Sequence, residues 1–93
     1  MRIFSVSAPS GTPTDVIIPS DSAYYDSYVI IPPLDVEWTI KDPAGNGPVP
    51  LTADTIFTED RQNGTHMQFP PGFKVCTVTQ SSGSNQTFWV ILK

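Results

Sequence analysis

The sequence predicts an all-β chain, a single antiparallel β-sandwich of seven or eight short strands with essentially no helix. Three observations predict it. Clusters of Pro, Gly, Asn and Ser punctuate the chain at short intervals, and the runs between them are rich in β-branched and aromatic residues. The segment LDVEWTIK alternates strictly, Leu34, Val36, Trp38 and Ile40 against Asp35, Glu37, Thr39 and Lys41, the signature of a half-buried strand. No window sustains the i, i+3, i+4, i+7 apolar series of a helix, and Leu and Ala are scarce.

The elements follow in order. Residues 2–7 form a first strand, ended by APSGTP, and 14–18 a short second one, ended by Pro19 and the polar PSDS. Residues 24–31 form the third, closed by Pro32-Pro33, which cannot donate to a ladder. The alternating strand 34–41 comes next. The loop DPAGNGP after it contains Asn46-Gly47, a pair that accepts positive φ at little cost. Residues 49–57 are a less regular strand region, and a short strand over 66–69 precedes Pro70-Pro71-Gly72. FKVCTVTQ and QTFWVILK, joined by SSGSN, read as a closing hairpin.

Ninety-three residues make one domain, with residues 1–22 as an N-terminal arm or edge strands. A domain of this size has a thin margin of stability. The usual staples are not available within the chain: Cys76 is the single cysteine, and Cys76 with the single His66 falls short of a zinc site. Oligomerisation is the remaining common device. Nine acids against five bases give a net charge of -4, and Arg2, Lys41, Arg61, Lys74 and Lys93 are scattered. That excludes the clustered cationic surface on which nucleic-acid binding depends. The apolar run at Ile3–Val6 is interrupted and too short for a signal-peptide core. No run approaches the ~18 apolar residues of a membrane span. Synthesis in the cytoplasm is the expectation, and a free cysteine agrees with it.

Residue by residue, chemistry is sparse. Cys76 and His66 are a formal nucleophile and base, but a lone Cys at an alternating strand position is a small buried hydrophobe. Asp35 with Glu37, and Glu59 with Asp60, read as solvated acidic faces. Asp42–Asn46 and Asp54–Asp60 lack the dense oxygen pattern of a calcium loop. Asn63-Gly-Thr65 and Asn85-Gln-Thr87 match the glycosylation triplet at near-chance frequency. No catalytic residue, cofactor or metal is expected.

GFKVCTVTQSSGSNQTFWVIL resembles the last hairpin of immunoglobulin-like domains, and DVEWTIKDPAGNGPVPL resembles their central Trp-bearing strand with its following loop. The likeness extends to domains of this kind in phage and viral structural proteins. It implies an immunoglobulin-like sandwich. The chain departs from it in giving Cys76 no partner cysteine and in placing Lys74 where such domains often have Tyr.

The apolar surplus carries the functional expectation. Tyr28–Ile31 and Phe88–Leu92 are apolar in both directions, and Phe73 with Val75 opposes Cys76 with Val78. A two-layer sandwich buries one face of each sheet, so a partner is expected on another. The candidate interface residues are Tyr28, Ile30, Phe73, Val75, Phe88, Trp89 and Ile91. The expected function is a non-enzymatic virion component, such as a capsid decoration or cement protein or a tail or fibre accessory. It would be made in the host cytoplasm and contact capsid or tail subunits, with a homo-oligomer expected. The alternative is an extracellular carbohydrate-binding or adhesion module using Tyr24, Tyr25 or Trp89.

Overall fold

The computed structural model describes residues 1–60 and 68–93. The eight strands are β1 (Arg2–Ala8), β2 (Thr14–Ile17), β3 (Ser27–Ile31), β4 (Trp38–Lys41), β5 (Val49–Leu51), β6 (Phe57–Asp60), β7 (Lys74–Gln80) and β8 (Gln86–Leu92). They form two four-stranded antiparallel sheets, ordered β1-β8-β3-β6 and β2-β7-β4-β5. No helix occurs among the described residues, and the sandwich expected from the sequence is the fold observed.

The pairing follows one rule. β1 pairs with β8, β2 with β7, β3 with β6 and β4 with β5, as in one long hairpin folded at the β4–β5 turn. Two further pairings, β3 with β8 and β4 with β7, roll that hairpin into two sheets. This is the jelly-roll arrangement of two Greek keys. Every connection except β4–β5 therefore crosses between sheets.

The strand order corrects the expected closing hairpin. β7 and β8 lie in different sheets, whereas the immunoglobulin-like resemblance made them neighbours. Gln80 holds the crossing in place. Its buried Nε2 donates to the carbonyls of Ala8 (2.9 Å) and Ser84 (2.8 Å), and its Oε1 accepts from the Ser82 N–H (2.7 Å). Gly11 N–H donates to its main-chain oxygen at 2.7 Å, and Gly83 N–H donates to Ser10 Oγ at 2.9 Å. The turn is thus tied to the end of β1, which steers β8 alongside β1 rather than alongside β7.

The core lies between the sheets. Phe88, Val90 and Leu92 of β8 and Tyr28 and Ile30 of β3 meet Val16, Trp38, Ile40 and Val78 of the facing sheet. Trp38 and Phe88 pack edge to face with ring centroids 5.4 Å apart, as do Tyr28 and Phe69 at the same separation. Such aromatic pairs contribute about 0.5–1.5 kcal/mol beyond the area they bury.

Two local departures from alternation have structural causes. Leu34, expected on the core face, is 83% exposed, because the chain turns there after Pro32-Pro33 with Asp35 at φ 60. The Asp35 N–H donates to the Asp54 carboxylate at 3.0 Å, and the strand begins only at Trp38. Val75 and Cys76 are consecutive yet both buried. A register shift opposite Val16/Ile17 inserts an extra residue, so both turn inward. Half of the predicted strand over 66–69 lies outside the described residues; within the other half, Phe69 forms an isolated bridge to Tyr25. Residues 1–22 supply edge strands β1 and β2, one to each sheet, rather than an arm across an outer face.

The β4–β5 turn depends on Asp42. Its two carboxylate oxygens accept from the main-chain N–H and the side-chain amide of Asn46, at 2.8 and 2.9 Å. Those bonds hold the Asp42 carboxyl below its ordinary range, the side-chain bond foremost. Gly47 follows at φ +114, where a Cβ would lie 3.0 Å from the Ile40 carbonyl oxygen, so only glycine fits.

Candidate functional site

The two outer faces of the sandwich differ in kind. On the β2-β7-β4-β5 sheet the outward positions include Asp15, Thr77 and Lys41 in one row and Thr79, Thr39 and Pro50 in the next, with Ile17 at one end. Thr77 donates to Asp15 across the strands at 2.9 Å. This is an ordinary solvated face.

On the β1-β8-β3-β6 sheet, register places Ile3, Ile91 and Val29 side by side, with Trp89 and Ile31 adjoining in the next row. Ile3 is 55% and Trp89 50% exposed, while Val29, Ile31 and Ile91 are half-buried. Ser7 and Thr87 border the patch at one end, Ser27 and Lys93 at the other. An apolar centre with a polar rim is the composition of a protein contact surface.

The sequence-derived interface set divides by face. Tyr28, Ile30, Val75 and Phe88 are 1% exposed or less and belong to the core, so they face no partner. Phe73 is half-buried against Phe69. Trp89 and Ile91 lie on the outer patch. The strand TFWVILK thus turns Phe88, Val90 and Leu92 inward and Trp89 and Ile91 outward. Left out of the sequence-derived set were Ile3, Val29 and Ile31, although Val29 and Ile31 belong to the run read as apolar in both directions. Ile3 becomes part of the patch only through pairing with β8, a strand at the other end of the chain.

A concavity opens between the sheets where β4, β5 and β6 meet, with a volume of about 250 Å³. Tyr28, Ile40, Val49, Phe57, Glu59 and Cys76 line it. Tyr28 donates to Glu59 Oε2 at 2.8 Å, and its hydroxyl lies 3.5 Å from the Val75 carbonyl. Burial pushes the Tyr28 phenol far above its ordinary value and the Cys76 thiol up to about 12. Cys76 is therefore protonated at neutral pH and a poor nucleophile. His66, its formal partner, lies outside the described residues. Asp35 and Glu37 are exposed in the segment before β4, and Tyr24 is exposed beside half-buried Tyr25. Among the described residues no group of three or more His, Cys, Asp or Glu is placed to hold a metal.

The raised thiol pKa has a consequence for stability. A group held protonated in the fold stabilises it below its unfolded pKa, and that contribution is lost as pH rises toward the folded value. Stability should fall progressively from about pH 9 to 12 by a few kcal/mol. Cys76→Val should lessen that decline, most clearly between about pH 9 and 10, below the range in which ionisation of the Tyr28 phenol in the unfolded chain adds to it; urea titration at stepped pH measures this. At pH 7 the folded chain should resist thiol-labelling reagents that modify it readily in urea.

Comparison with protein-family models, with curated proteins and with solved structures gave no significant match.

Proposed function

We propose that the chain is a non-enzymatic structural module of a virion, a capsid decoration or tail accessory protein that adds buried interface to an assembly. The observation that carries this reading is the asymmetry of the sandwich. One outer face is threonine-rich and charged, and the other presents Ile3, Val29, Ile31, Trp89 and Ile91 as one patch. Capsid or tail subunits would cover the patch, leaving the polar face and the acidic loops toward solvent. A sparse, net-negative charge of -4 suits a surface exposed outside a cell without attraction to nucleic acid. Viral capsid domains are among the users of the jelly roll, as are lectins, so the fold itself supports the setting only by analogy.

The test is retention in particles. Mass spectrometry of purified particles from the source of the gene should find the chain at a fixed ratio to a major capsid or tail subunit. Trp89→Ser should fold normally and be lost from the particles. Absence of the chain from particles, together with saturable binding to a polysaccharide, would replace the reading with carbohydrate recognition.

A further inference from the structure

Among the described residues the sandwich has four edge strands, and three carry features that discourage pairing. β2 is four residues long, flanked by Pro13 and Pro19, and carries Asp15. β5 is three residues long with Pro50 inside it and Pro48 beside it. β6 is four residues long and carries Glu59 and Asp60. Short length, proline and charge are the recognised means of blunting an edge. β1 has none of them beyond Arg2 at its start. It runs seven residues, RIFSVSA, with no proline and no acid, and among the described residues β8 is the one strand it pairs with, the carbonyl of its last residue, Ala8, also accepting from the Gln80 side chain.

The side chains of β1 also leave burial unfinished. Phe4 and Val6 pack against the core yet are only partly buried, and among the described residues no strand flanks β1 on its far side. Antiparallel pairing of β1 with a copy of itself about Ser5, the midpoint of the strand, sets Phe4 opposite Val6 of the copy and Val6 opposite its Phe4. Aromatic against β-branched is a favourable cross-strand pair. Ser5 faces Ser5, and Ile3 faces Ser7. In a chain of net charge -4 this is an edge that brings no carboxylate against another.

We propose that the β1 edge pairs with β1 of a second copy of this chain, joining two four-stranded sheets into one of eight. The pairing is distinct from the apolar face assigned to the assembly partner, and it would align two such faces on one continuous surface.

The test uses charge at the symmetry axis. Sedimentation equilibrium of the full chain should give a concentration-dependent shift from one chain mass to two. Ser5 is exposed, so S5K and S5D should both fold; each sets like charges opposite one another and should weaken self-association about tenfold or more. Mixing S5K with S5D should restore it. T87K, exposed on the neighbouring strand away from the edge, should leave it unchanged. S5C should form a disulfide-linked dimer under mild oxidation, since facing Cα atoms in such a pair lie about 4.5–5.5 Å apart. A wild-type mass that stays at one chain, or a dimer indifferent to both S5K and S5D, would overturn the proposal. Trp89→Ser reads the face through particle retention and leaves the mass of the free dimer unchanged, so the two readings fail separately.

Discussion

Phe88→Ala should destabilise the fold by about 3–5 kcal/mol, while Trp89→Ala, one residue along, should cost within about 1 kcal/mol. Phe88 is fully buried at the centre of the sandwich, edge to face with Trp38, and its removal leaves a cavity that two pleated sheets cannot close. Trp89 points out of the same strand and is half exposed. For a domain whose total stability is on the order of 5–10 kcal/mol, the first change removes much of the margin. Urea denaturation followed by the signal of Trp38 resolves the difference, and a larger cost at Trp89 than at Phe88 would mean that the face assignment of β8 is reversed.

Gln80→Leu should cost about 3 kcal/mol or more, although glutamine to leucine is nearly neutral in volume. The substitution removes a buried amide that satisfies two carbonyls and one N–H around the crossing turn, those of Ala8, Ser84 and Ser82. A buried polar group left unpaired costs about 1–3 kcal/mol. Gln80→Glu tests the donor half separately. Its carboxylate would confront both carbonyls, so the variant should be least stable at neutral pH and should recover in part as acid protonates the new side chain. Thermal unfolding at pH 7 and pH 4, with wild type as reference, reads this directly.

The same residue marks where the sequence stopped being informative. Strand positions and most inward faces were legible, because Trp38, Ile40, Phe88 and Val90 obey a period of two and proline and glycine bound the runs. The sheet to which each strand belongs was not. A short polar turn such as SSGSN serves a hairpin or a crossing equally well, and the choice is made by contacts from Gln80 to Ala8 and from Gly83 to Ser10, at separations of 72 and 73 residues. Leu34 read as core because alternation ignores a residue at positive φ such as Asp35. Val75 and Cys76 read as opposite faces because a bulge is visible only once both strands are paired.

The candidate interface was half legible for a related reason. Two apolar faces on TFWVILK and on SYVII mean that one lies outside the core, but they do not say which. Tyr28, Ile30 and Phe88 went to the core, and Val29, Ile31, Trp89 and Ile91 went outward. Ile3 joined them through register with Ile91. The patch is a property of three strands from both ends and the middle of the chain.

If the chain serves as proposed, that patch is covered in the assembled state. Hydroxyl-radical footprinting of the free chain and of the chain in purified particles measures this at single residues, with buried Trp38 as an internal reference unreactive in both. Trp89 and Ile3 should label strongly in the free chain and be protected in particles. Equal labelling of Trp89 in the two states would show that no partner covers the patch.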